Sequence, residues 1–135
     1  MSKYRIILLV LIVTLLAGFV RFYLLGKAPA GLYLDEAAQG YNAYSILLTG
    51  KDEFGKSWPI IFRSFTDFKT PVYIYLIAPL IPIFGLTTFT VRFPSFLFSV
   101  LTIPLLFMLI KILSPPKITY SLALMAILLL AISPW

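Results

Sequence analysis

The sequence predicts an all-α, polytopic membrane protein whose spans frame one large external loop. Of its 135 residues 61% are hydrophobic and 16% aromatic, and only 12% are charged, against roughly a quarter in soluble domains. Long apolar runs follow one another along the chain. All five acidic residues, Asp35, Glu36, Asp52, Glu53 and Asp67, fall together between two of those runs. Carboxylates are costly in hydrocarbon, so this clustering marks the segment where polar chemistry can occur.

Composition narrows the chemistry. The chain has no Cys and no His, so it lacks a thiol nucleophile, a disulfide framework and the commonest general base and metal ligand. Acid–base or metal chemistry must therefore use carboxylates. The net charge is +6, but the Lys and Arg residues are scattered without a basic run, which argues against nucleic acid as a partner. The excess suits membrane topology and anionic lipid head groups.

A crossing needs about 20 apolar residues for ~30 Å of hydrocarbon. The first span is 6–25, preceded by Lys3 and Arg5 and lacking a small-residue cleavage site, so it reads as an uncleaved signal anchor. Residues 26–90 form the external loop, with interfacial helices at 35–49 and 71–84. The second and third spans are 91–112 and 118–135, separated by Pro115-Pro116. Residues 71–84 as a helix reach only about 21 Å and contain Pro79 and Pro82. Loop charge separates the two topologies. With 71–84 at the surface, Lys3, Arg5, Lys111 and Lys117 share the inner side; with 71–84 as a fourth crossing, Lys111 and Lys117 move outside. Three crossings are the preferred arrangement and four the alternative.

Within the loop, Asp35 to Gly50 reads as a helix that Asp35 caps and Gly50 ends. Ala37, Tyr41, Tyr44 and Leu48 share a face suited to the membrane surface. Asp35 is either a simple cap or a base or metal ligand held at a helix N-terminus, and the two roles are compatible. Glu36 is a first-turn charge or a second site carboxylate. Asp52 and Glu53 read as a solvated turn. Thr70 and Pro71 start the next helix and Gly85 stops it, with Tyr73 and Tyr75 as surface anchors. Arg63, Asp67 and Lys69, just before that helix, form either a lipid-phosphate site or a surface ion pair with snorkelling side chains. Arg92, on the outer side in the three-crossing arrangement, needs a carboxylate or phosphate partner. Arg21 reads as a snorkelling residue.

The order of these elements resembles a known family. A signal-anchor span, Pro29-Ala30-Gly31-Leu32-Tyr33-Leu34-Asp35-Glu36-Ala37, an amphipathic helix, Asp67-Phe68-Lys69-Thr70-Pro71-Val72-Tyr73, Gly85 and Val91-Arg92-Phe93-Pro94-Ser95 together resemble the N-terminal part of the GT-C membrane glycosyltransferases. The nearest likeness is to the protein O-mannosyltransferase and aminoarabinose-transferase branch. The resemblance implies a polyprenyl-phosphate-linked sugar as donor and an acceptor that is a protein, lipid or glycan. It implies Asp35, with Glu36 beside it, as the catalytic acidic position. It also implies Lys69, Arg92 and Asp67 at the donor phosphate, and a site on the non-cytoplasmic face of a multi-pass protein of the cell membrane. Some relatives bind a divalent metal, for which Asp35 would be the ligand here. Family members are much longer, so these residues are expected to be the N-terminal portion of a larger enzyme, inactive alone. Two other classes stay open: a small non-enzymatic membrane subunit or assembly partner, with the acidic loop as docking surface, and a transporter fragment. The spans carry no acid, against the transporter reading.

Overall fold

The computed structural model describes residues 3–64, 67–115 and 119–133. In chain order its elements are α1 (Lys3–Tyr23), α2 (Leu34–Thr49), the strands β1 (Phe62–Ser64) and β2 (Asp67–Lys69), α3 (Pro71–Ile77), a 3-10 turn (Ala78–Leu80), α4 (Ile81–Phe84), α5 (Thr88–Leu113) and α6 (Thr119–Ile132). The fold is mostly helical. It divides into two compact units: a helical unit, Met1–Tyr23 with Phe96–Trp135, and a loop unit, Leu24–Ser95.

In the helical unit, α1 and α5 are long and apolar enough to cross a membrane. Only 17% and 11% of their most apolar windows are buried within the protein, so most of each apolar surface is exposed. Ile6, Val13 and Ala17 of α1 recur at helical spacing and meet Ile103 and Phe107 of α5 and Ala123 and Ile127 of α6. Gly18 lets the backbone of α1 approach α5, where an added Cβ would touch Val100 at 3.7 Å. The expected third span, 118–135, is a 14-residue helix over Thr119–Ile132, about 21 Å long at 1.5 Å per residue. Lys117, Ile118, Pro116, Pro134 and Trp135 lie outside the described residues.

Arg21 departs from the snorkelling expectation. Its guanidinium donates to the backbone oxygens of Leu130, at 2.8 Å, and Ser99, at 3.3 Å. Leu130 lies in the last turn of α6, where carbonyls lack a partner within the helix. The cation therefore satisfies an orphan acceptor and complements the negative helix end.

The loop unit is built around α2 and the helix that follows the hairpin. Ile74, Ile77, Ala78 and Ile81 fall at i, i+3, i+4 and i+7, so one apolar stripe continues from α3 through the 3-10 turn into α4. It packs on Ala43 and Ile46 of α2, Phe62 of β1 and Val91 of α5. The buried face of α2 is Ala38, Gly40, Asn42, Ala43 and Ile46. The expected face of Ala37, Tyr41, Tyr44 and Leu48 is the exposed one. Gly50 ends α2 with φ 68°, a left-handed value that glycine adopts without strain.

Local contacts add to three expectations and overturn one of them. Tyr73 and Tyr75 engage their hydroxyls within the unit. Tyr73 donates to the oxygen of Val91 at 2.7 Å and lies 2.9 Å from Ser95 Oγ, while Tyr75 donates to the Pro59 oxygen at 3.0 Å and stacks on Trp58. Each partly buries its ring and satisfies its hydroxyl within the unit. Asp52 is buried, because its carboxylate accepts from the N–H groups of Phe54 and Lys56 at 3.0 and 2.8 Å and so organises the turn. Glu53 lies in an exposed turn, as expected, and two hydrogen bonds at 3.0 and 3.1 Å tie it to buried Asn42.

Candidate functional site

Capping decides which carboxylate at the start of α2 is available. The helix begins at Leu34 with Tyr33 at the N-cap, two residues before the cap expected at Asp35. Glu36 Oε2 reaches back to accept from the Tyr33 N–H at 3.0 Å, the carboxylate half of a capping box. Asp35 is thus not the cap, and its side chain is released for another contact.

That contact is Lys69. Asp35 Oδ1 lies 2.9 Å from Lys69 Nζ, and Asp67 Oδ2 lies 3.0 Å from the same nitrogen. The hairpin explains the second pair. Successive strand residues face opposite sides, so Asp67 and Lys69 project from one face of β2 and Phe68 from the other. The register pairs Ser64 with Asp67 and Phe62 with Lys69. Phe62, fully buried, anchors that face in the core of the loop unit. Lys69 is largely covered, with 15% of its side chain exposed, whereas Asp35 and Asp67 are 52% and 71% exposed. The ammonium is fixed and the carboxylates remain open to a ligand.

The charges shift accordingly. Asp35 first, and then Asp67, hold the Lys69 ammonium above the usual lysine value. Lys69, helped by the Phe68 N–H, holds the Asp67 carboxyl below the usual carboxylate value. An ammonium has three donors. Two are taken by the aspartates, and the third has no partner among the described residues.

Arg92 is differently placed. Its Nε and Nη2 donate to Glu36 Oε1 and Oε2 at 2.8 and 2.9 Å, a bidentate pair. The remaining N–H groups go to the backbone oxygens of Gly31, Pro29 and Leu25 at 2.7, 3.0 and 3.4 Å. All five guanidinium donors are satisfied within the loop unit. The partner that Arg92 requires is therefore Glu36, and the pair ties the 25–31 turn to the starts of α2 and α5. Arg92 holds the Glu36 carboxyl below the usual range, against the opposing effect of burial, with Tyr33 N–H adding to the depression.

Of the five expected site residues, the structure brings Asp35, Asp67 and Lys69 together and gives Glu36 and Arg92 to a structural clasp beside them. Asp35 and Asp67 share the Lys69 ammonium, and among the described residues no group of three or more His, Cys, Asp or Glu side chains is placed to hold a metal ion. Sequence reasoning missed Ser64, buried on the same strand face as Asp67 and Lys69, whose hydroxyl has no hydrogen-bond partner among the described residues. The period-two pattern around Phe62 and Lys69 was the available signal. Phe65 and Thr66, which join the strands, lie outside the described residues. No family model, curated protein or solved structure matches the chain.

Proposed function

We propose that the chain acts within a membrane glycosyltransferase of the GT-C type, moving a sugar from a polyprenyl-phosphate donor to an acceptor hydroxyl. The observation that carries this reading is the 2.9 Å contact between Asp35 and Lys69. The two positions that the ordered motifs assign to catalysis and donor phosphate lie far apart in sequence, yet meet on a half-open surface of the loop unit. The exposed part of the Asp35 carboxylate takes the proton of the acceptor hydroxyl. The acceptor oxygen bonds to the anomeric carbon as the anomeric C–O bond to phosphate breaks, and its electron pair leaves on the phosphate oxygen. The third N–H of Lys69, unpartnered among the described residues, offsets the charge that develops there. Asp67 positions Lys69, and the Glu36–Arg92 clasp holds the start of α2 so that Asp35 faces it. The site is assigned to the non-cytoplasmic side of a multi-pass cell-membrane protein, with 71–84 at the surface.

The test uses membranes containing the protein expressed from its native reading frame, supplied with radiolabelled polyprenyl-phosphate mannose or polyprenyl-phosphate aminoarabinose. Label should pass to an endogenous acceptor, and Asp35→Asn should slow that transfer by about 10²- to 10⁴-fold at unchanged protein level. Equal transfer by the variant, or none by the wild type with either donor, would remove the proposal.

A further inference from the structure

We infer that the helical unit binds one anionic phospholipid in a groove between α1 and α5, with its phosphate between Lys3 and Lys111 and an acyl chain along the groove. The cavity, of about 380 Å³, is lined by both lysines and by Tyr120 of α6, and its walls include Val10, Leu11, Phe107 and Met108. Its volume falls in the range of small-ligand pockets, roughly 300–1,000 Å³.

Charge and depth select the occupant. Lys3 lies at the start of α1, Lys111 in the last turn of α5 and Tyr120 at the start of α6, so the chain brings all three to the same end of the cavity. Neither lysine has an ion-pair partner among the described residues. From Lys3 to Thr14, the residues of α1 that line the cavity, the helix advances about 16 Å. That is the depth of one leaflet in a hydrocarbon core of ~30 Å. Thr14 brings little polarity to the inner end, because its hydroxyl donates to the Val10 oxygen at 2.8 Å. A slot one leaflet deep, apolar along its length and doubly cationic at the membrane boundary, matches an anionic head group with an attached chain. A free phosphate ion would leave the apolar walls unfilled, and a zwitterionic lipid, whose quaternary ammonium offsets its phosphate, would bring the lysines no net negative charge.

The purified chain in detergent would be titrated with dioleoylphosphatidylglycerol, dioleoylphosphatidylcholine or inorganic phosphate and read by native mass spectrometry. Two lysines at about 1 kcal/mol each predict roughly 30-fold tighter binding of the phosphatidylglycerol than of the phosphatidylcholine. Lys3→Gln with Lys111→Gln should abolish that preference, whereas Lys51→Gln with Lys56→Gln, the same charge change in the loop unit, should preserve it. Leu11→Trp, which fills the groove and keeps both lysines, should weaken binding of either lipid. Equal binding of the two lipids by the wild type would overturn the inference without recourse to any variant. So would a preference that survives the Lys3 and Lys111 changes, or phosphate binding as tight as lipid binding.

Discussion

Glu36 gives both carboxylate oxygens to Arg92 and one of them also to the Tyr33 N–H, whereas Asp35 has one oxygen on Lys69 and half of its side chain in the open. The two adjacent acids therefore face different consequences of substitution. Arg92→Lys replaces five planar donors with three on a point charge and strands carbonyls of the 25–31 turn. It should lower stability by about 1–3 kcal/mol in a detergent melt. The pH dependence follows from the depressed Glu36 pKa. The stability contributed by the ionised clasp is fully present above the unfolded value near ~4.3 and is lost as pH falls through the lower folded value. Melting temperature should fall on acidification below about pH 4.3, and Glu36→Gln should flatten that part of the fall. Lys69 has the opposite sign. Its raised pKa gives stability present below the ordinary lysine range near ~10.4 and lost as pH rises through the folded value.

The loop unit depends on close approach between elements. At Gly40 of α2 an added Cβ would come within 2.8 Å of Val91 Cγ2, and Val91 is fully buried, with a stiff β-branched side chain. Gly40→Ala should cost about 1–3 kcal/mol, and adding Val91→Ala should recover part of the loss in a double-mutant comparison. Much at this scale was legible in the sequence because local signals agree with packing. Gly50 and Gly85 end the helices at which they were expected, and Pro71 opens α3 at its first position. Thr87, which accepts from the Thr90 N–H at 3.2 Å, is a cap signal that places the start of α5 before residue 91. What escaped the sequence was tertiary. The amphipathic face of α2 was visible, but its small buried face, with Gly40 and Asn42, is defined only by what packs on it. Asp35 and Glu36 both suit a helix start by composition. The Glu36 bond back to the Tyr33 N–H and the Arg92 contact, the latter from a distant segment, together determine which one is committed to structure. The short hairpin gives only a weak sequence signal, because three-residue strands interrupted by charges show few alternations.

At the scale of the whole molecule, two helices long and apolar enough to cross a membrane flank in sequence a unit that gathers all the acidic residues. The absence of native Cys permits single-cysteine labelling in intact cells with a membrane-impermeant maleimide. Ser57→Cys and Leu86→Cys should be labelled alike from outside, and Ser114→Cys only after permeabilisation. Labelling of Ser57→Cys without Leu86→Cys would mean that 71–84 crosses the bilayer. The central claim is that neighbouring carboxylates divide the work, Asp35 in the chemistry and Glu36 in the scaffold. Its most direct test is to compare sugar transfer and detergent melting temperature for Asp35→Asn and Glu36→Gln side by side. Asp35→Asn should lose transfer by about 10²-fold or more with little change in melting, while Glu36→Gln should lower the melting temperature and reduce transfer only in proportion to the folded protein lost. Transfer retained by Asp35→Asn, or melting unchanged in Glu36→Gln, would contradict it.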